Sequence, residues 1–461
     1  MEPKLKPIGE VENVREVLSA KTPRSVELHQ RSSKVLAAEV VQTVHMPHPI
    51  YIERAQGSRM TDVDGNVYID LTMGYGPHVL GHAPASVVAA VKTQAEKGMH
   101  FGLHNPYQTR LAELITESSA SVDEVAFTNS GTEATMNAIR AARAFTGKER
   151  VALFDGNYHG IHDTALVAAD TKSPRERPTN HPKSAGIPQG TLDLVLMLPY
   201  RSAAAFELIR KYRDELAVVV LEPVQSSNPR LDTREWMHEL RAVCDECGVL
   251  FLLDEVITGF RLAYGGIQER FELGADLVTY GKAIGGGSPI GAVGGRRDIM
   301  SVFGAGASVS ASSPKRVRIF TGTTFAGNPL TMCAGVAALE QLQARQNEIY
   351  PHLESQADRL AAEVNAYLER ERIPAQIMNA GSMFHLFFQT DRIESSRDVF
   401  GDQARLENEF YLHLLNHGVI VPGIHLAFIS AAHTVEDVDA VIAAFIQSFD
   451  DLRAAGQIAP Q

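Results

Sequence analysis

Four short stretches carry side chains suited to chemistry, and each stands directly after an apolar run. Lys282 follows Leu277–Tyr280 and is flanked by Gly281 and by Gly285-Gly-Gly287. A lysine held against a buried strand loses hydration, its pKa falls, and the neutral amine attacks carbonyls. A lysine reaching out to solvent is the plainer alternative. Asp254 and Glu255 follow Leu250–Leu253, so Asp254 falls at the end of a buried strand and needs a cation or a donor. A helix cap or a structural ion pair would also account for it. Asn129-Ser130-Gly131-Thr132-Glu133 follows Val125–Thr128 and opens a helix. Small residues there leave backbone N–H groups and a positive dipole end free for an anion. Neither a Gly-Lys-Ser/Thr ending nor GxGxxG is present, and an ordinary Ser or Thr cap fits as well. Gly156-Asn-Tyr158-His159-Gly160 follows Val151–Phe154. Its aromatic ring could stack on a planar ligand or simply pack.

Each signal is weak alone. Together they supply a phosphate cradle, a ring-stacking surface, an anion for a pyridine nitrogen and a Schiff-base lysine. These are the needs of pyridoxal 5'-phosphate.

The elements that must position these groups are set by the pattern around them. The four runs, with Leu194–Leu198 and Ala217–Leu221, alternate with helical segments. In Thr132–Ala144 the residues Ala134, Ala138, Ala141 and Ala142 recur at helical steps, and in Arg234–Cys247 Trp236, Leu240, Val243 and Cys244 share a face. That alternation predicts an α/β fold with a parallel sheet covered on both faces, whose ligands bind beyond the carboxyl ends of the strands. Asp62-Val-Asp-Gly-Asn66 reads as a turn into the strand Val67–Asp70. Past residue 330 the pattern becomes α+β: a helix from Thr331, a strand Met383–Phe388, and a last helix. That helix opens with Thr434-x-x-Asp437 and carries Val438, Val441, Ile442, Phe445 and Phe449 on one face. Gly304–Arg318 reads as a surface loop. The expected division is 1–85 as part of a small domain, 86–335 as the large cofactor domain and 336–461 as the rest of the small one.

Composition narrows the class. A chain of 461 residues suits a two-domain enzyme. With 44% apolar and 21% charged residues, disorder and fibre are excluded. A net charge of −12 argues against nucleic-acid partners. Three cysteines (Cys244, Cys247, Cys333) make no disulfide framework and point to a reducing compartment. The charged N-terminal stretch has no signal-peptide core, and no run is long enough for a membrane span. A soluble cytoplasmic protein with no membrane partner is expected.

The motifs, in order, resemble those of class III pyridoxal-phosphate aminotransferases of fold type I, closest to the glutamate-1-semialdehyde 2,1-aminomutase branch. They are Asn129-Ser-Gly-Thr-Glu-Ala134, Gly156-Asn-Tyr-His-Gly160, Glu222-Pro-Val224, Asp254-Glu-Val-Ile-Thr-Gly-Phe-Arg261, Tyr264-Gly-Gly-Ile-Gln268, Lys282 with its glycines, and Thr323-Thr-Phe-Ala-Gly-Asn-Pro329. The resemblance implies that Lys282 forms the Schiff base and carries protons, and that Asp254 pairs with the pyridine nitrogen. It implies that Ser130, Gly131 and Thr132 hold the phosphate, that Tyr158 and Val256 flank the ring, and that His159 and Glu222 complete the cofactor contacts. Thr324 would reach the phosphate of a neighbouring subunit, which makes a homodimer the functional unit. The reaction implied is a ping-pong transfer of an amino group from a small-molecule donor to a keto or aldehyde acceptor. A 2,1-aminomutase or an epimerase on the same fold is the alternative.

The substrate-reading part departs from that branch. The branch carries an arginine before the Asp62 turn, yet no arginine stands between Arg31 and Arg54, where His45 occurs instead. Tyr75 replaces a bulky indole, and His425 replaces an acidic residue. Lys315, Arg316 and Arg318 fall close in sequence to Thr324. These changes lead us to expect a transaminase on a substrate other than glutamate-1-semialdehyde, with Tyr75, His45 and His425 as substrate contacts. Cys244-x-x-Cys247 has no second pair for zinc and reads as helix packing. His100 and His104 lack the glutamate of HExxH, and His162 belongs to the Tyr158 turn. No metal is expected.

Overall fold

The computed structural model describes residues 13–37, 47–304, 318–399, 403–421, 423 and 426–458. The chain packs as two units. One comprises Met1–Pro84, Pro351–Ile393 and Asp398–Gln461, and the other Ala85–Tyr350 with Glu394–Arg397. The helix Pro329–Ala344 thus packs with the large unit, because its apolar faces lie against Ala85–Lys97 and Pro106–Glu117.

The large unit is built on a seven-stranded sheet. Its strands in chain order are β1 (Glu124–Thr128), β2 (Arg150–Phe154), β3 (Val195–Leu198), β4 (Leu216–Leu221), β5 (Leu250–Asp254), β6 (Leu277–Gly281) and β7 (Gly291–Gly295). The spatial order is β1-β7-β6-β5-β4-β2-β3. All pairings are parallel except those of β7, which runs antiparallel to both β6 and β1. In β4 every residue of Leu-Ala-Val-Val-Val-Leu is buried, as a central strand covered on both faces requires. The helix α1 (Gly131–Thr146) lays Ala134, Ala138 and Ala142 on Val218, Val220, Leu252 and Val293 of the sheet. Small alanines let its backbone approach closely.

β7 is Gly-Ala-Val-Gly-Gly, a composition that disfavours a strand. Crowding explains it. A Cβ on Gly291 would lie 2.1 Å from the Ser130 carbonyl oxygen, and one on Gly295 would lie 2.7 Å from that of Asp276. Only glycine lets this strand pass between β6 and β1.

The small unit holds a four-stranded sheet (Ile52–Gln56, Arg59–Asp62, Val67–Asp70, Val419–Ile420) and a three-stranded one (Gln376–Ala380, Met383–Phe387, Ala427–Phe428). The Asp62 turn forms as the sequence predicts. Asp62 accepts from the backbone of Asp64 and Asn66 and from the Tyr68 hydroxyl. The last helix, Val435–Ala454, carries the capping box: Asp437 N–H donates to Thr434 Oγ1 and Thr434 N–H to Asp437 Oδ2. Asp70, fully buried, accepts from Thr72 N–H at 2.7 Å and Met73 N–H at 3.1 Å, and its Oδ2 lies 2.7 Å from His82 Nε2. This pins a turn of four consecutive positive-φ residues, Met73 (43°), Gly74 (64°), Tyr75 (66°) and Gly76 (108°). Two of these are not glycine, which stores strain that the Asp70 contacts must hold.

Candidate active site

The chemistry-bearing residues expected at strand ends meet beyond the carboxyl edge of the large sheet. β5 is buried throughout and ends in Asp254. Asp254 Oδ1 accepts from Thr279 Oγ1 of β6 at 2.8 Å and from Val256 N–H at 3.2 Å. Its Oδ2 lies 2.7 Å from His159 Nδ1. A carboxylate only accepts, so the shared hydrogen belongs to Nδ1. His159 Nε2 is then left buried with no hydrogen-bond partner among the described residues.

Lys282 follows β6 and adopts φ 48°, a left-handed conformation rare outside glycine and common at functional positions. Burial pulls its pKa down to about 8. The carboxylates of Glu222 and Asp254 oppose that fall, and Arg261 adds to it. Glu222 is itself buried, accepting from Tyr158 N–H at 3.0 Å and Ser226 N–H at 3.2 Å. Desolvation pushes its pKa up to about 7. The Lys282 amine and the Glu222 carboxyl are therefore both drawn towards neutrality, one from above and one from below.

The start of α1 completes the site. Ser130 Oγ accepts from Glu133 N–H at 3.1 Å, and Glu133 accepts from Asn129 N–H at 2.9 Å. The N–H groups of Gly131 and Thr132 come before Ala134 N–H, the first intrahelical donor, and can take an anion. A Cβ on Gly131 would lie 2.8 Å from Val256 Cγ1, and one on Gly160 2.5 Å from Thr132 Oγ1. Both glycines are needed for the helix start, Val256 and the Tyr158 turn to meet. Thr135 Oγ1 donates to the His159 carbonyl at 2.6 Å and fixes that turn on the helix. The Tyr158 ring is half-buried, with Lys183 Nζ 5.5 Å from its centroid.

Ser130, Gly131, Thr132, Tyr158, His159, Glu222, Asp254, Val256 and Lys282 thus form one connected cluster in the large unit. Thr324 is exposed on the turn after Thr323, whose hydroxyl accepts from Asn129 Nδ2 at 2.6 Å. Tyr75 lies on the left-handed turn of the small unit. His45, His425, Lys315 and Arg316 lie outside the described residues. Arg318 is described, with its guanidinium against Gly304. Sequence reasoning misses Thr279, a direct partner of Asp254. Its one signal is a small aliphatic hydroxyl inside the apolar run Leu-Val-Thr-Tyr.

The decoys find other roles. Cys244 is buried and its thiol is pushed up by desolvation, as is that of Cys247, so neither is a poised thiolate. His104 Nδ1 lies 3.3 Å from Gln108 Oε1, and the His100 ring packs 5.1 Å from Phe325. Among the described residues no group of three or more His, Cys, Asp or Glu is placed to hold a metal, and no helix is long and apolar enough to cross a membrane.

Known proteins resemble the chain over most of its length. The sequence profile of the class III aminotransferases matches residues 40–452. The chain is 37% identical over 436 residues to glutamate-1-semialdehyde 2,1-aminomutase of Methanopyrus kandleri, covering 93% of this chain and 98% of that one. It is 38% identical over 395 residues to the enzyme of that name from Aquifex aeolicus, covering 85% and 90%. Among solved structures it is similar to an omega-transaminase from Sphaerobacter thermophilus, with TM-score 0.85, 33% identity and coverage of 93% and 98%. The chain belongs to the class III aminotransferase family. Its cofactor is pyridoxal 5'-phosphate, and the residues present suit it: free helix-start N–H groups, an anion at a strand end, an aromatic face and a desolvated lysine.

Proposed function

We propose that the chain is a pyridoxal-phosphate-dependent aminotransferase that moves an amino group from a donor to a keto or aldehyde acceptor, on a substrate other than glutamate-1-semialdehyde. The observation that carries the chemistry is Lys282, a desolvated amine with pKa near 8 facing Glu222 and Asp254. When bound, the cofactor supplies an electron sink for charge developing at the substrate carbon. Gly131 and Thr132 hold its phosphate with backbone N–H groups. Tyr158 and Val256 would flank its ring, and Glu222 would support the region of its ring hydroxyl. Asp254, fixed by Thr279, Val256 N–H and His159, keeps the pyridine nitrogen protonated. Lys282 would hold the cofactor through its amine and would serve as the base and acid that moves a proton at the substrate carbon.

The arginine-free stretch between Arg31 and Arg54 favours transamination on another substrate, because a bidentate arginine is the natural carboxylate clamp. The names of the sequence relatives favour the second reading, a 2,1-aminomutase. A half-reaction screen separates them. The loaded enzyme is mixed with α-, β- and ω-amino compounds, and the cofactor's visible absorbance is followed. Amination by a donor, reversed by a separate carbonyl acceptor, supports transamination. Efficient turnover of glutamate-1-semialdehyde without a donor overturns it. In Lys282→Ala, turnover should fall by about 10³-fold or more.

A homodimer is part of this reading. Met99, Phe101, Leu103, Ile161, Phe320 and Phe325 are exposed on the large unit, an apolar surface that a second copy would cover. Thr324, beside Phe325, would then meet the partner's phosphate. Three unpaired cysteines fit a cytoplasmic setting.

A further inference from the structure

We propose that Arg397, which lies outside every motif of the cofactor site, is a positioning residue for Tyr158 and His159, and that its ion pair with Asp155 governs how tightly the chain holds its cofactor. The inference rests on the reading of Tyr158 as the ring-stacking residue.

Residues Glu394–Arg397 pack with the large unit although the chain on either side belongs to the small one. Arg397 lies 242 residues from Asp155, the residue that leaves β2 and begins the Tyr158 turn. Its Nε donates to Asp155 Oδ2, and the two side chains are only 9% and 15% exposed. The rest of the guanidinium fork is used as well. Nη1 donates to the Ser173 carbonyl at 2.7 Å, and Nη2 to the Asp170 carbonyl at 3.3 Å and Ser173 Oγ at 3.2 Å. One side chain thereby fastens the 155–158 turn to the 170–173 loop. Lysine cannot reproduce that fork.

Beyond the local bond from Asn157 N–H to the Phe154 carbonyl at 3.1 Å, the turn is held by partners distant in sequence. Gly156 takes φ 86°, and a Cβ there would lie 2.6 Å from Ser396 Oγ and 3.0 Å from Gln225 Nε2. The 394–397 segment is therefore seated directly on the glycine that lets the turn form. From beneath, Gln225 Nε2 donates to the Asp155 carbonyl at 2.8 Å and to Asn157 Oδ1 at 2.6 Å. Asp155 is thus gripped on its carbonyl by Gln225 and on its carboxylate by Arg397, three residues before Tyr158 and four before His159. A stacking ring must be held to a fraction of an ångström to be effective, and its supporting residues decide whether it is.

The test compares full-length wild type with Arg397→Met, Arg397→Lys and Asp155→Asn. Each is stripped of cofactor and titrated with pyridoxal 5'-phosphate. The readouts are the dissociation constant, the circular dichroism induced in the bound cofactor, and the Tm of the cofactor-free protein. The expected result is a rise of about tenfold or more in the dissociation constant for all three variants, with weakened induced dichroism. The double variant Arg397→Met/Asp155→Asn should be no worse than Arg397→Met alone, because both remove one interaction. A dissociation constant within twofold of wild type, with only the Tm lowered, would overturn the inference and make the clamp purely structural. Should Arg397→Met not fold, Asp155→Asn, which removes charge at almost constant volume, decides the outcome by itself. Failure of the wild type to bind the cofactor would instead overturn the functional reading beneath it.

Discussion

Among the described residues are two buried aspartate–histidine pairs with the same 2.7 Å contact, one in each unit. Asp70–His82 belongs to the small unit. Its carboxylate is committed to two backbone N–H groups and one imidazole, and these hold a strained turn. Asp254–His159 belongs to the large unit. Its carboxylate is equally well bonded, but His159 Nε2 remains buried without a partner among the described residues, and Lys282 and Glu222 stand near with pKa values drawn towards neutrality. The pair is the same chemical object in both places. What separates a structural pair from a chemical one is the unspent hydrogen-bonding capacity and the displaced proton equilibria around it.

Substitution of the two aspartates should give opposite profiles. Asp254→Asn is expected to slow turnover by roughly 10²-fold or more while costing less stability than its counterpart. Asp70→Asn is expected to lose about 2–4 kcal/mol of stability, because it unmakes charge-assisted bonds to buried N–H groups, and to leave cofactor affinity unchanged. Urea unfolding and cofactor titration of both variants check this. Equal stability losses would erase the distinction.

The next effect is on pH dependence. Glu222 is raised from 4.5 to about 7, so the folded state binds more protons than the unfolded one between those values. Stability of the cofactor-free protein should therefore fall as pH rises through that window. Lys282 is lowered from 10.5 to about 8, so the unfolded state binds more protons between 8 and 10.5, and stability should rise with pH there. Glu222→Gln should flatten the lower limb and Lys282→Met the upper one in Tm-versus-pH curves. A smaller effect is predicted for Gly131→Ala, whose methyl group would press on Val256. About 1–3 kcal/mol of strain should weaken cofactor binding measurably in a titration. Smallest is Cys247→Ser, on a helix surface away from both pairs, expected to change stability by no more than about 0.5 kcal/mol and to leave activity intact.

Much of the large unit was legible because its strands are continuous apolar runs that end in the residues that matter. Lys282, Asp254 and Ser130 stand at or just past the carboxyl end of such a run, where an open α/β sheet places its ligand contacts. β7 was not legible, since its three glycines avoid Ser130, Val122 and Asp276, residues that sequence order does not place nearby. Thr279 was hidden inside a strand, and Arg397 lies 242 residues from its partner in a stretch with no periodicity. The left-handed run Met73–Gly76 could not be inferred either. Met73 and Tyr75 have no preference for such φ values, and the Asp70 contacts help to hold them there.

The late position of Glu394–Arg397 has a consequence for synthesis. The ribosome delivers the chain from its N-terminus, and domains fold as their residues emerge. Ala85–Tyr350 could collapse as soon as it clears the tunnel, but its final four residues arrive only after some forty more belonging to the other unit. The Asp155 carboxylate therefore waits, solvated, until Arg397 is made. Closure of the turn by this ion pair becomes a long-range, high-contact-order event that cannot precede the synthesis of Arg397.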